Sequence, residues 1–315
     1  MPTEALADVN PSSVAQGQRG IAIERFSEIT ARTPRSSDAE AAFMASKLHL
    51  LRTHPVEPKD LGRRVELSAR FRTRMMAAEA LPPVAPTRPV PGGVGYGAFY
   101  KDAFKTAFQT GTSISWKIVC STPPGGNVSD WLYLTATNRS SLGVEAFVSY
   151  HGQNETTFNV FDWARPGDEW QTHILFADLG EYLSTEASHG EDFQILQVMN
   201  TTLESSPGAW SNQVHLWNFP QSRWDLVYQF DYAADLAKQT TGWVGSWGPI
   251  VETFQDAYSG TSPMGALDAS VATRDAGGTW SNWDPLLDTQ SDIRTDNKGF
   301  VLSFLDPNFT WVVTS

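Results

Sequence analysis

Two glutamates stand where glutamate is least expected. Glu145 sits inside the apolar run Leu142–Tyr150, and Glu252 sits in Ile250-Val251-Glu252-Thr253-Phe254, just after the aromatic, glycine-bounded stretch around Trp247. Strands disfavour Glu because a half-buried sheet surface penalises its charge. Side chains alternate along a strand, so Glu145 shares a face with Phe147, and Glu252 with Ile250 and Phe254. Two carboxyls that approach one another on a partly desolvated surface divide the labour: one keeps its proton while the other ionises. An ionised carboxylate can take a proton from water, and a protonated one can donate to a developing oxyanion. The plain alternative is that each glutamate decorates the wet face of a sheet.

Other chemistries leave no local mark. The chain has no His-Glu-x-x-His, no nucleophile elbow, no P-loop and no dinucleotide fingerprint. Its six histidines are scattered, with no pair at metal-ligand spacing within one element. A single cysteine, Cys120, precludes an intrachain disulfide and a Cys-rich metal site. Neither a metal nor a cofactor is expected.

The elements that must carry the two glutamates read as strands. Ile114–Cys120 alternates with period two, and Trp131–Asn138, Leu142–Tyr150 and Thr156–Trp163 follow between Gly, Asn and Ser turns. Phe193–Met199, Val214–Phe219, Trp224–Tyr232, Phe300–Leu305 and Phe309–Thr314 extend the series. Many short strands with little helix predict an all-β protein, an antiparallel β-sandwich or jelly roll of the concanavalin-like kind. The first ninety residues read differently. Residues 1–19 form a polar lead, and 20–80 carry a helical pattern, with a capping box at Ser37–Glu40 and a basic face at Arg63, Arg64, Arg70, Arg72 and Arg74. Residues 81–97 hold five Pro and four Gly and read as a linker. The expected division is therefore 1–19, 20–80, 81–97 and a β domain over 98–315.

Charge follows the same division. Of 23 Lys+Arg and 35 Asp+Glu in all, residues 1–90 hold 13 and 10, a balance of +3, leaving −15 for the rest. An acidic body does not suit nucleic acid as a partner. No apolar run approaches the roughly 18 residues of a membrane span, and residues 1–8 lack the basic and apolar regions of a signal peptide. Five sequons, at Asn127, Asn138, Asn154, Asn200 and Asn308, lie in the acidic body. A secreted protein whose signal peptide has been removed is one expectation for the compartment, and a cytoplasmic protein the other.

The acidic body resembles the glutamic peptidases, a group that includes the fungal eqolisins and the plant neprosins. The likeness rests on Asp130-Trp131-Leu132-Tyr133, on Val144-Glu145-Ala146-Phe147, on Phe158–Trp163, and on Ile250–Phe254 followed by Pro263–Leu267. It spans roughly residues 110–275. Pro249 stands where eqolisins carry Trp, Phe147 replaces the Gly-Trp that follows the neprosin glutamate, and the families' disulfides cannot form. Eqolisins pair Glu with Gln, so a Glu145–Glu252 pair would be of the neprosin kind. The resemblance implies an acid-acting endopeptidase with a polypeptide substrate. Glu252 would activate water, Glu145 would stabilise the oxyanion, and Trp247, Phe147 and Trp163 would line the groove. It also implies that the basic N-terminal segment is a propeptide, the plain alternative being a solvated helix or an oligomerisation arm. Two rival readings remain. A lectin-like, carbohydrate-binding sandwich would use Trp163, Trp170, Trp210, Trp217, Trp243, Trp280 or Trp283 as stacking platforms. A β-sandwich glycosidase or lyase would use the same two carboxylates.

Overall fold

Alternating apolar residues, interrupted by turn formers, build the chain from strands. The computed structural model describes residues 20–34, 94–100, 111–121, 132–137, 143–151, 155–162, 164–165, 171–185, 193–233, 251–253, 266–282, 291–294, 301–306 and 310–314. In chain order these form β1 (Gly20–Ile21), α1 (Ile23–Arg32), β2 (Val94–Tyr100), β3 (Gly111–Ser121), β4 (Leu132–Thr137), β5 (Val144–His151), β6 (Glu155–Asp162) and β7 (Thr172–Leu175). Two single 3-10 turns follow, then β8 (Leu183–Thr185), β9 (Phe193–Ser206), β10 (Ala209–Asn218), β11 (Arg223–Ala233), β12 (Val251–Thr253) and β13 (Ala266–Arg274). The described chain closes with β14 (Trp280–Asn282), β15 (Ser291–Arg294), β16 (Val301–Asp306) and β17 (Thr310–Thr314). It is an all-β sandwich with one short α-helix near the N-terminus.

One large sheet runs β1-β11-β10-β9-β3-β13-β17-β16, with β14 also on β13 and β8 also on β9. A second, β4-β5-β6-β7, packs against it, and a third, β12-β2-β15, brings β12 alongside β4. Every pairing is antiparallel except that of β1 with β11. The hairpin between β9 and β10 turns at Pro207-Gly208, where Gly208 takes φ 77°. Pro then Gly is the sequence of a type II turn, because its third position needs positive φ. Glu204 tightens the turn by accepting the Gly208 N–H at 2.8 Å.

The second sheet is buried on both faces. Val144, Ala146, Val148, Phe158 and Val160 show no exposure and turn toward the large sheet. The Asn200 amide from β9 crosses to the Val144 carbonyl at 3.1 Å and ties the layers together. β2 corrects one expectation. It begins at Val94, inside the Pro/Gly-rich 81–97, where no regular element is predicted. Val94-Gly95-Tyr96-Gly97 pairs with β12 on one side or β15 on the other, so ladder bonds outweigh glycine's poor strand propensity. The rest of the helical pattern, with its capping box at Ser37–Glu40 and its basic face at Arg63–Arg74, lies outside the described residues.

α1 follows directly from its spacing. Phe26, Ile29, Thr30 and Thr33 recur at three and four residues and are all buried. The helix packs on β7 and β11. It ends at Thr33, whose N–H and Oγ1 both donate to the Ile29 carbonyl at 2.9 Å, and Pro34 prevents continuation.

Candidate active site

Cross-strand register decides which side chains share a face. Glu145 on β5 lies opposite Phe161 on β6, Phe147 opposite Asn159, and Asn159 opposite His173 on β7. These five therefore line one face, turned away from the large sheet. Val144, opposite Asp162, lies on the other face. Glu145, Phe147 and Asn159 have no solvent exposure, and His173 retains 2%. A wholly buried glutamate is not a solvated decoration of a sheet. For Glu145 the wet-face alternative is therefore excluded.

A hydrogen-bonded chain crosses this face. Asn159 Nδ2 donates to Thr157 Oγ1 at 3.0 Å and toward the Thr157 carbonyl at 3.4 Å. A main-chain carbonyl can only accept, so the Asn159 amide nitrogen points at Thr157 and its oxygen at His173. His173 Nδ1 meets that oxygen at 2.6 Å, and His173 Nε2 meets the Pro34 carbonyl at 2.9 Å. The His173 main-chain N–H donates to Thr30 Oγ1 at 3.1 Å. β7 is an edge strand, and this contact with α1 covers its outward donor. The N-terminal segment thus seals the β7 edge of the face that carries Glu145.

Glu252 lies on β12, with its main chain opposite Gly95 of β2. β12 passes within 8 Å of β4, and β4 pairs with β5, Thr137 opposite Glu145. One strand, β4, thus lies between the two glutamate-bearing strands. Trp247 and Trp163 lie outside the described residues. Phe147 sits beside Glu145 on the same face. Of the sugar-platform tryptophans, Trp210 is core and Trp217 and Trp280 are half-buried. Trp170, Trp243 and Trp283 lie outside the described residues. Among the described residues no group of three or more His, Cys, Asp or Glu could hold a metal, and no helix is long and apolar enough to cross a membrane.

The inner face holds a second carboxyl that sequence patterning passes over. Asp162 accepts from the Ala164 N–H at 2.8 Å, from Asn212 Nδ2 at 2.9 Å and from the Tyr228 hydroxyl at 3.0 Å. Burial between the sheets pushes its carboxyl up to about 6, against the lowering effect of those donors. Burial likewise holds the Tyr228 hydroxyl well above its ordinary value. The alternation Val160-Phe161-Asp162 at a strand end was the available signal, since it places an acid on the apolar face of Phe158 and Val160. A third acid, Asp225, is buried beneath Tyr182, Asn218 and Arg223, which donate at 3.0, 2.9 and 2.8 Å.

No family model matches the chain, and no curated protein matches it. Among solved structures the chain is similar to scytalido-glutamic peptidase with a peptide-based transition-state analogue. There the identity is 9%, the coverage 70% of this chain and 96% of that one, and the TM-score 0.33. It is also similar to SCP-B, a member of the eqolisin family in complex with the tripeptide Ala-Ile-His, at 11% identity, 70% and 96% coverage and TM-score 0.33. Full-length tailspike protein 2 from Escherichia coli O157:H7 bacteriophage CAB120 gives 12% identity, 54% and 20% coverage and TM-score 0.25. These values mark a distant likeness of fold, with no residue-by-residue correspondence.

Proposed function

We propose that the protein is an acid-acting endopeptidase that hydrolyses peptide bonds with Glu252 and Glu145. One observation carries the choice of a polypeptide substrate. The face that holds Glu145 already receives a main-chain carbonyl, that of Pro34, from chain that leaves α1 in extended conformation at Thr33 (φ −72°, ψ 125°). A surface that binds extended chain through its carbonyls suits a peptide better than a sugar. In the reaction, Glu252 takes a proton from water while the water oxygen bonds to the scissile carbonyl carbon. Glu145, carrying a proton, donates a hydrogen bond to the oxyanion. The C–N bond then breaks and the proton held by Glu252 passes to the leaving amine. Phe147, Trp163 and Trp247 line the groove, and the N-terminal segment occupies it in the resting chain. The mechanism uses water and two carboxyl groups, with no cofactor.

The test is hydrolysis of denatured casein below about pH 5, where one carboxyl of such a pair still keeps its proton. Glu252→Gln abolishes it and leaves the thermal midpoint nearly unchanged. Full activity in that variant, or activity lost on treatment with EDTA, defeats the reading.

A further inference from the structure

We propose that His173 is a peptide-carbonyl subsite that works only as its imidazolium, and that in the resting chain the Pro34 carbonyl fills it. The substrate half of this statement rests on the peptidase reading; the Pro34 half stands on hydrogen-bond geometry alone.

Both ring nitrogens of His173 face acceptors: Asn159 Oδ1 at 2.6 Å and the Pro34 carbonyl oxygen at 2.9 Å. Thr157 fixes the Asn159 amide, because exchanging its oxygen and nitrogen would set the amide oxygen against the Thr157 carbonyl, acceptor against acceptor. A neutral imidazole has one N–H and one bare lone pair. Whichever nitrogen is bare, its lone pair points at an oxygen lone pair inside hydrogen-bond distance. The doubly protonated ring makes both bonds, and both are then charge-assisted.

Few charges compete for this ring. α1 packs against β7, but its charged residues Glu24, Arg25, Glu28 and Arg32 are all exposed, and Arg25 is engaged with Glu181. Asp162 on β6 lies on the opposite face of the sheet. By register the shared face also carries Glu145 and His151 of β5 and Glu155 of β6, none of them directly opposite His173.

Proton linkage then has a definite sign. The docked segment holds the ring proton more firmly than the undocked one, so docking is strongest below the ordinary imidazole range near pH 6.5 and weakens as pH rises through the docked titration. Acid tightens this contact. Acidification by itself therefore does not free the segment. Once Pro34 is removed, by cleavage or by competition, the same Nε2–H is presented to a substrate carbonyl at the pH where the carboxyl pair works.

Two measurements on the full chain decide the matter. In protein labelled with 15N-histidine, the His173 ring, assigned by its loss in His173→Gln, should show the two similar nitrogen shifts of an imidazolium at pH 6 and below. A single neutral tautomer at pH 5 overturns the proposal. The second measurement uses a Glu252→Gln background to suppress self-cleavage. Tryptic cutting after Arg32, normalised to an unfolded control at each pH, should rise by up to tenfold per pH unit between the undocked and the docked titrations and level off above the latter. His173→Gln, a neutral donor, should flatten that rise; an unchanged pH dependence in this variant also overturns the proposal. For activity, His173→Gln should raise KM for extended peptides several-fold at pH 4 and leave kcat within about twofold. If the native protein proves inactive, the shift and cleavage results still stand or fall on their own. If they fail while Glu252→Gln abolishes hydrolysis, the peptidase reading survives.

Discussion

Glu145 and Glu252 make different demands on a replacement. Glu145 is assigned a donor role, and a glutamine amide can donate at any pH. Glu145→Gln should therefore retain measurable hydrolysis and extend it toward neutral pH, while Glu145→Leu should lose about 10²–10³ in kcat. Equal activity in the two variants would mean that Glu145 donates nothing to the transition state. Asp162 gives a prediction of stability. Its carboxyl is raised from 3.8 to about 6 by burial, so the folded state binds its proton more tightly than the unfolded state. Its relative contribution is full below about pH 4 and declines as pH rises to about 6, by about 3 kcal/mol. Asp162→Asn keeps an oxygen for Ala164 and Asn212 and turns its amide toward the Tyr228 hydroxyl, which can accept. The variant should lack that slope and match or exceed the native midpoint at pH 7. Denaturant unfolding at pH 4 and pH 7 reads both effects; an identical slope in the variant assigns the linkage elsewhere.

At the scale of elements, the N-terminal segment is attached by apolar burial and main-chain pairing as much as by charge. Phe26 is 2% exposed and meets the Tyr182 ring edge-on at 5.4 Å. Gly20 pairs with Asp225 so closely that a Cβ would stand 1.9 Å from its Oδ1. The Arg25–Glu181 pair is partly exposed, and such pairs contribute at most about 1 kcal/mol. Phe26→Ala should cost about 3–5 kcal/mol of local stability. It should open residues 22–34 to hydrogen exchange ahead of β5 and β6, whereas Arg25→Ala should scarcely change exchange there. If Arg25→Ala releases the helix and Phe26→Ala does not, charge rather than burial holds it.

For the whole molecule, the expected linker and the observed seam make one joint prediction. Limited proteolysis should cut first between residues 81 and 93, before β2 begins at Val94. Because β1 and α1 are built into the sandwich, the N-terminal fragment should stay bound after that cut. It should co-elute with the body on size exclusion and separate in denaturant. Immediate loss of the fragment from the nicked protein would show that residues 20–34 do not hold it.

Much of this was legible in the amino-acid order, because it depends on neighbours along the chain. Period-two alternation marks β3, β5, β6 and β11, and the Phe26–Thr33 spacing marks α1, since burial of one face needs no more than local periodicity. The anomaly of a glutamate at position 145 was visible for the same reason. What lay beyond reach depends on partners distant in sequence. β13 holds three Ala among its nine residues, with one Asp and one Ser, and has little intrinsic strand preference; β3, β14 and β17 make it a strand from both sides. Val94–Gly97 becomes a strand between β12 and β15 on the same ground. Asn159, His173 and Pro34 show no motif, because their meeting requires β6, β7 and the end of α1 to arrive from up to 139 residues apart. Burial on both faces of β5, which makes Glu145 a functional candidate, is likewise a property of packing. Periodicity tells which residues share a face, and tertiary structure alone decides what covers it.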